Sequence, residues 1–222
     1  EQNKELALSY KTRGQIFASK EKYKEAHDSY RTYIALAPLD PSGHIDRYRL
    51  YLKKLDLKAA KEEIEIVIAA YPKYPGAYYM LGELYKEGQN FESALKAAEA
   101  EIQNNPGYVP AYVLAGAALN LNAESSKALG YLSKALAMAP TYVPALLQAA
   151  IANHRLKTYA AAQSMLERAL ALDAGNPQIH KRLALLFREM GNSAKAKYNL
   201  KAYLDLLPDA PDRLEAERLM NE

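Results

Sequence analysis

Pro38, Pro72, Pro106, Pro140 and Pro208 are separated by 34, 34, 34 and 68 residues. The absent member falls at Ala174, inside LDAGNPQ, where Gly175 and Pro177 supply turn chemistry instead. Other columns keep the interval: Ala26, Ala60, Ala94, Ala128, Ala162 and Ala196 form one, and Ile34, Ile68, Ile102, Leu136, Leu170 and Leu204 another. Gly14, Gly82 and Gly116 begin a third, continued by Ala150 and Ala184. The stretch YVPA, at 108–111 and again at 142–145, is one boundary seen twice. Self-similarity at a fixed period of this length means an array of one supersecondary unit. Each unit buries its apolar face against its neighbours.

Each unit reads as two helices. In the fourth, VPAYVLAGAALNLN precedes AESSKALGYLSKALAMAP. Pro110 suits a first helical turn, where its missing N–H is no loss. Tyr112, Ala115, Gly116 and Leu119 share one helical face. After the interruption at Asn122, the residues Ala128, Leu129, Leu132, Ala135 and Leu136 mark the inner face of a second helix, which Pro140 ends. The eighth position of each unit is mostly Gly or Ala and the twentieth is always Ala. Small side chains there let the two backbones approach at their crossing. Gly82→Leu or Ala94→Leu is expected to cost about 1–3 kcal/mol by overpacking.

Units of 34 residues with this helix–turn–helix reading and a recurring terminal Pro resemble the tetratricopeptide repeat. The resemblance covers 7–40, 41–74, 75–108, 109–142, 143–176 and 177–210, and is fullest in the third unit, at Tyr78, Leu81, Gly82, Tyr85, Ala94 and Pro106. Two units depart from it. The second has Arg47 and Tyr48 where Leu and Gly are expected, and the fifth has Asn153 at an apolar column and no terminal Pro. Residues 211–222 read as a capping helix whose Leu214 closes the apolar end, with Asp212, Glu215, Glu217 and Arg218 facing water. Residues 1–6 read as an extension of the first helix. The implied architecture is one all-α domain over 1–222, a right-handed α–α superhelical solenoid.

In that family the first helices line the concave side and hold a peptide or partner helix. The corresponding positions here are Tyr79, Glu83, Lys86, Val113, Ala117, Asn120, Leu147, Ile151, His154, Lys181, Leu185 and Arg188. Val113, Ala117, Leu147 and Ile151 make an apolar strip, which is expected either to receive apolar side chains of a partner or to be buried by a tighter superhelix. The set of Lys, Asn and Arg that family members use on chaperone tails is incomplete: Lys11 and Gln15 are followed by Ile45, Arg49, Gly76 and Met80. A basic lip remains at Arg155, Lys181, Arg182 and Arg188.

Composition narrows the alternatives. A net charge of +3 gives no case for nucleic acid. Residues 75–142 hold only four Lys and six Glu among their charges. Without cysteine there is no disulfide, thiolate nucleophile or Cys-held metal. No apolar run reaches the ~18 residues that span a membrane. His27, His44, His154 and His180 sit in no metal-spaced motif, although His154 and His180 fall in adjacent units. Glu62, Glu63 and Glu65 read as a solvated helix face, and no phosphate-binding glycine loop is present. Eighteen tyrosines, against three Phe and no Trp, fill packing columns: Tyr30, Tyr33 and Tyr203 between repeats, and Tyr74, Tyr108 and Tyr142 at the junctions.

The expectation is therefore a non-enzymatic scaffold without cofactor or metal, whose partner is a protein, a peptide or a second copy of itself. The alternative is a structural, self-associating subunit of a bacterial envelope assembly of the kind that serves pili, polysaccharide export or the outer membrane. A start inside a helix-like stretch and an end just past the cap read as a piece of a longer protein. The compartment stays open between cytoplasm and bacterial periplasm or cell envelope.

Overall fold

The computed structural model describes residues 2–221. Thirteen α-helices run through them, with no strand among the described residues. They pair as α1 (Gln2–Ser19) with α2 (Tyr23–Leu36), α3 (Ser42–Lys53) with α4 (Leu57–Ala70), and α5 (Ala77–Glu87) with α6 (Phe91–Asn104). Then follow α7 (Val109–Leu121) with α8 (Ser125–Met138), α9 (Val143–Arg155) with α10 (Tyr159–Leu172), α11 (Pro177–Glu189) with α12 (Ser193–Leu206), and a last helix α13 (Arg213–Asn221). The extension of the first helix holds from Gln2; Glu1 and Glu222 lie outside the described residues.

The turn inside each pair repeats to the residue. Glu21, Leu55, Gln89, Ala123, Lys157 and Gly191 all have left-handed φ, between 57° and 74°. These six positions are again 34 apart, and only the last is the glycine that favours this conformation. One residue farther along lies the helix cap. The side chains of Asp56, Asn90 and Asn192 accept the N–H of Ala59, Ser93 and Lys195, which satisfies a donor the helix itself leaves unpaired.

The small columns hold the helices together as the spacing predicts. The column alanines from Ala26 to Ala196 are buried. A Cβ placed on Gly116 would lie 2.6 Å from Leu132 Cγ, and one on Gly14 would lie 2.4 Å from the Tyr30 ring.

The chain divides into two compact units, Glu1–Pro106 and Gly107–Glu222. In the first, Ile45, Tyr48, Ile64, Val67, Leu81 and Leu84 form a core between α3, α4 and α5. Tyr48 replaces the expected glycine and is itself core, its hydroxyl donating to the Met80 carbonyl at 3.3 Å. In the second, Leu146, Leu166, Ile179, Leu183, Leu186 and Phe187 form a core between α9, α10 and α11. Every residue of α7 from Ala111 to Asn120 is buried, which accounts for the scarcity of charge in that stretch.

The cap forms, but on other residues than expected. Ala216, Leu219 and Met220 share one face of α13 and pack with Leu200, Tyr203 and Ala210, whereas Leu214 is 83 % exposed. Leu214 lies two residues before Ala216, about 200° around the helix, and so points away from the array. Nor does Asp212 simply face water: it accepts from the Tyr203 hydroxyl at 2.5 Å and pairs with Lys181 at 2.7 Å.

Candidate functional site

In the second unit the first helices α7, α9 and α11 carry most of the expected contact positions. Their depths differ. Val113 and Ala117 are only 9 % and 8 % exposed, and Asn120 is buried with its amide donating to the Gln148 carbonyl and side-chain oxygen at 3.0 and 3.2 Å. Of the two outcomes expected for the apolar strip, burial holds on α7, where Val113, Ala117 and the neighbouring Asn120 belong to the interior. Leu147 and Ile151 on α9 and Leu185 on α11 are half-buried and keep apolar surface toward solvent. Leu147, Ile151 and Arg155, four residues apart, follow one face of α9.

The polar members of the set are partly engaged. Lys181, expected at the basic lip, pairs with Asp212 and stands 5.5 Å over the Tyr203 ring. Lys11 in the first repeat repeats the arrangement, 5.5 Å over Tyr33, whose hydroxyl donates to Asp40 at 2.6 Å. His154 Nε2 lies 2.9 Å from Glu189 Oε2, off the ring's hydrogen-bonding direction, so the contact is electrostatic rather than an aligned hydrogen bond. The Tyr159 hydroxyl donates to the same oxygen at 3.3 Å. Arg188 is exposed. In the first unit, Tyr79, Glu83 and Lys86 lie half-buried on α5, with Glu83 and Lys86 paired at 2.8 Å.

Two of the three carboxylates buried among the described residues, Glu63 and Glu101, tie neighbouring elements together in ways that escaped sequence reasoning. Glu62 and Glu65 are exposed as expected, but Glu63 is buried. It takes Arg47 Nη2 at 2.9 Å and His44 Nδ1 at 2.8 Å. Arg47 also reaches His27 Nε2 and the Tyr51 hydroxyl, both at 3.1 Å. Arg47 is a donor only, so His27 Nε2 accepts and the imidazole is neutral. Burial and the neighbouring Arg47 hold the His27 pKa below its usual value, in keeping with that state. The Arg47 departure in the second repeat is therefore a charge brought in to meet Glu63. The same two columns meet again at His180 and Asn199, Nδ1 to Oδ1 at 3.0 Å.

Glu101, fully buried on α6, accepts from the N–H groups of Gly76 at 2.7 Å and Tyr78 at 3.1 Å, and from Asn105 Nδ2 at 2.7 Å. It pins the start of α5, where Gly76 is left-handed and has no side chain to cap the helix. Both carboxylates are structural, since every partner is a group of the fold itself.

No reactive constellation emerges. Among the described residues no three His, Asp or Glu side chains gather into a metal-holding group. His154 and His180 have separate partners. No helix among the described residues is long and apolar enough to cross a membrane.

Comparison with known proteins agrees with this architecture. The family model described as tetratricopeptide repeat matches residues 45–109 and indicates no catalytic family. No curated protein matches the sequence. Among solved structures, PilF of Pseudomonas aeruginosa is 15 % identical with a TM-score of 0.79, over 98 % of this chain and 99 % of that one. PilW, a widely conserved type IV pilus biogenesis factor, is 13 % identical with a TM-score of 0.81, over 96 % and 98 %. YrrB, a tetratricopeptide repeat protein with an unusual peptide-binding site, is 19 % identical with a TM-score of 0.61, over 87 % and 100 %. At these identities the likeness is one of fold, the all-α solenoid of helix–turn–helix repeats.

Proposed function

We propose that this chain, an all-α solenoid whose residues 45–109 match the tetratricopeptide repeat model, is a non-enzymatic interaction scaffold that holds a peptide or helix of a partner protein on the first helices of its second unit. One observation carries the reading: Leu147, Ile151 and Leu185 keep apolar surface in water on helices whose other apolar residues are mostly buried. Apolar surface of that kind binds by being dried. Fold likeness to YrrB supports the reading by analogy. The test is Leu147→Glu with Ile151→Lys, two changes at half-buried sites, Leu147 lying at the edge of the core between α9, α10 and α11. Co-purified or selected partners are lost from this variant while its helical melt is preserved; full retention of binding removes the face from consideration. Val113 is unsuited to such a test, because a charge there enters the core.

A second reading, a self-assembling subunit of an envelope structure, is favoured by exposed apolar surface on α1. Ile16 is 48 % exposed, whereas Leu50, one repeat later in the same column, is 2 % exposed. Leu84, in the next repeat, is buried too. This face of α1, with Leu8 49 % and Ile16 48 % exposed, keeps apolar surface in water. A cavity of about 570 Å³ lined by Ala7, Leu8, Leu36, Pro38 and Leu39 opens beside it. The likeness to PilF and PilW supports an envelope role. Light scattering over a concentration series decides it: the mass rises for the wild type and stays monomeric for Leu8→Glu/Ile16→Lys. A wild type that is monomeric throughout ends this reading.

A further inference from the structure

The seam between the first two repeats is tied by polar side chains. Its buried apolar cluster is Ala26, Tyr30 and Leu50, of which only Leu50 comes from α3. The seam between α10 and α11 instead buries Leu166, Ala169, Ile179, Leu183 and Leu186. Across the first seam Lys11 Nζ donates to the Ser42 hydroxyl at 2.7 Å, and Gln15 Nε2 to Asp46 at 3.2 Å. A further tie joins α2 to α3, where Arg47 Nη2 donates to His27 Nε2 at 3.1 Å.

That tie exists only while His27 is neutral, because a guanidinium has no lone pair to offer an imidazolium. Arg47 is also fixed in place. Glu63, buried on α4, holds the same nitrogen at 2.9 Å and is itself met by His44 on α3 at 2.8 Å. A proton on His27 would therefore set a second cation against an anchored one. The surroundings offer it little relief. A cavity of about 310 Å³ beside the ring is lined by Tyr23 and Lys24 of α2 and by Leu50, Tyr51 and Lys54 of α3 and its end, with no carboxylate among them. Asp28 lies 3.8 Å from Nδ1 but is shared with Arg31 at 3.5 Å. From α1, Arg13 turns toward α2 and is taken by the Ser29 hydroxyl.

We propose that the joint between the first and second repeats is an acid-sensitive latch: on protonation of His27 the hydrogen bond from Arg47 turns into repulsion, and α1 and α2 loosen from α3 and α4. Loosening uncovers Tyr30 and Leu50, which are dry in the closed joint. The sign follows from the folded state. Burial, and then Arg47, lower the His27 pKa against the pull of Asp28, so the unfolded chain takes up this proton more readily. The stability of the tie is full above the unfolded imidazole value of about 6.5 and is lost as pH falls through the lower folded value.

Two measurements on the full chain test it. Hydrogen exchange, corrected for its intrinsic dependence on pH, follows the amides of α2 and α3 at about pH 7.5 and about pH 5.5, either side of the ordinary imidazole value. In the wild type their protection falls about tenfold or more relative to α7 and α8, which carry no histidine; that factor is the worth of one hydrogen bond to a charged group. His27→Gln keeps an acceptor for Arg47 and does not titrate, so its fall is smaller by the same factor. Asp46, whose pKa burial raises, acts alike in both chains and cancels from the difference. An equal fall in wild type and His27→Gln, or a fall shared by α7 and α8, overturns the inference. In the second measurement, NMR titration of the wild-type imidazoles places His27 below the unfolded value. A His27 that titrates at or above that value overturns the inference however the variant behaves.

Discussion

Replacing Gly116 by alanine adds a single methyl group at the crossing of α7 and α8. That Cβ would lie 2.6 Å from Leu132 Cγ and 2.7 Å from its Cδ2, where ordinary contact begins at 3.4 Å. Leu132 is fully buried and so must yield about 0.8 Å within a filled core. Overpacking of this kind costs about 1–3 kcal/mol. Alanine also favours the helix over glycine by about 1 kcal/mol, which hides part of the cost. Gly130 on α8 separates the two effects, because it is exposed and a Cβ there meets nothing within 4 Å. Gly130→Ala therefore takes the helical gain alone. The gap between the two variants is then the overpacking cost, a separation in midpoint of roughly 2–12 °C for a chain of this size. Thermal melts followed by circular dichroism measure it. Equal midpoints for Gly116→Ala and Gly130→Ala would refute the reasoning that close backbone approach sets the eighth column.

Three further outcomes follow from named contacts. Leu55 is exposed at φ 57°, so Leu55→Gly relieves a left-handed strain of about 1 kcal/mol, partly offset by the greater freedom of glycine when unfolded; denaturant midpoints show a small gain or no change, and a clear loss contradicts the turn assignment. Glu101→Ala strands the N–H groups of Gly76 and Tyr78 and costs about 3 kcal/mol or more by urea unfolding, well above an Ala substitution at exposed Glu65. Lys181, and then Tyr203, hold the Asp212 pKa below its usual value. Its contribution is thus present above the unfolded carboxylate value of about 4 and is lost as pH falls through the lower folded value. Asp212→Asn should flatten the acid limb of the stability curve, and an unaltered limb argues against the pair.

Legibility in the sequence stopped at different depths for different residues. Period, helix pairing and the crossing columns were readable because each depends on spacing along one helix or between copies of one unit. The αL column was not, since Glu21, Leu55, Gln89, Ala123 and Lys157 carry none of the usual glycine signal. Among the contact positions, phase around the helix placed Val113, Leu147 and Leu185 on comparable faces, yet Val113 is interior and the other two are half-open. Phase tells direction but not depth, which depends on the size and crossing of the neighbouring helices.

What the chain determines by itself is therefore the recurring helix pair and its small-residue seams, because a 34-residue repeat and a 3.6-residue helical period leave little else for those side chains to do. Only the tertiary structure decided which charges are paired. Glu63 with His44 and Arg47, and Glu101 with Gly76, each join residues 16 to 25 positions apart along the chain. Electrostatics acts through space, and no local pattern records which partner a buried charge will meet.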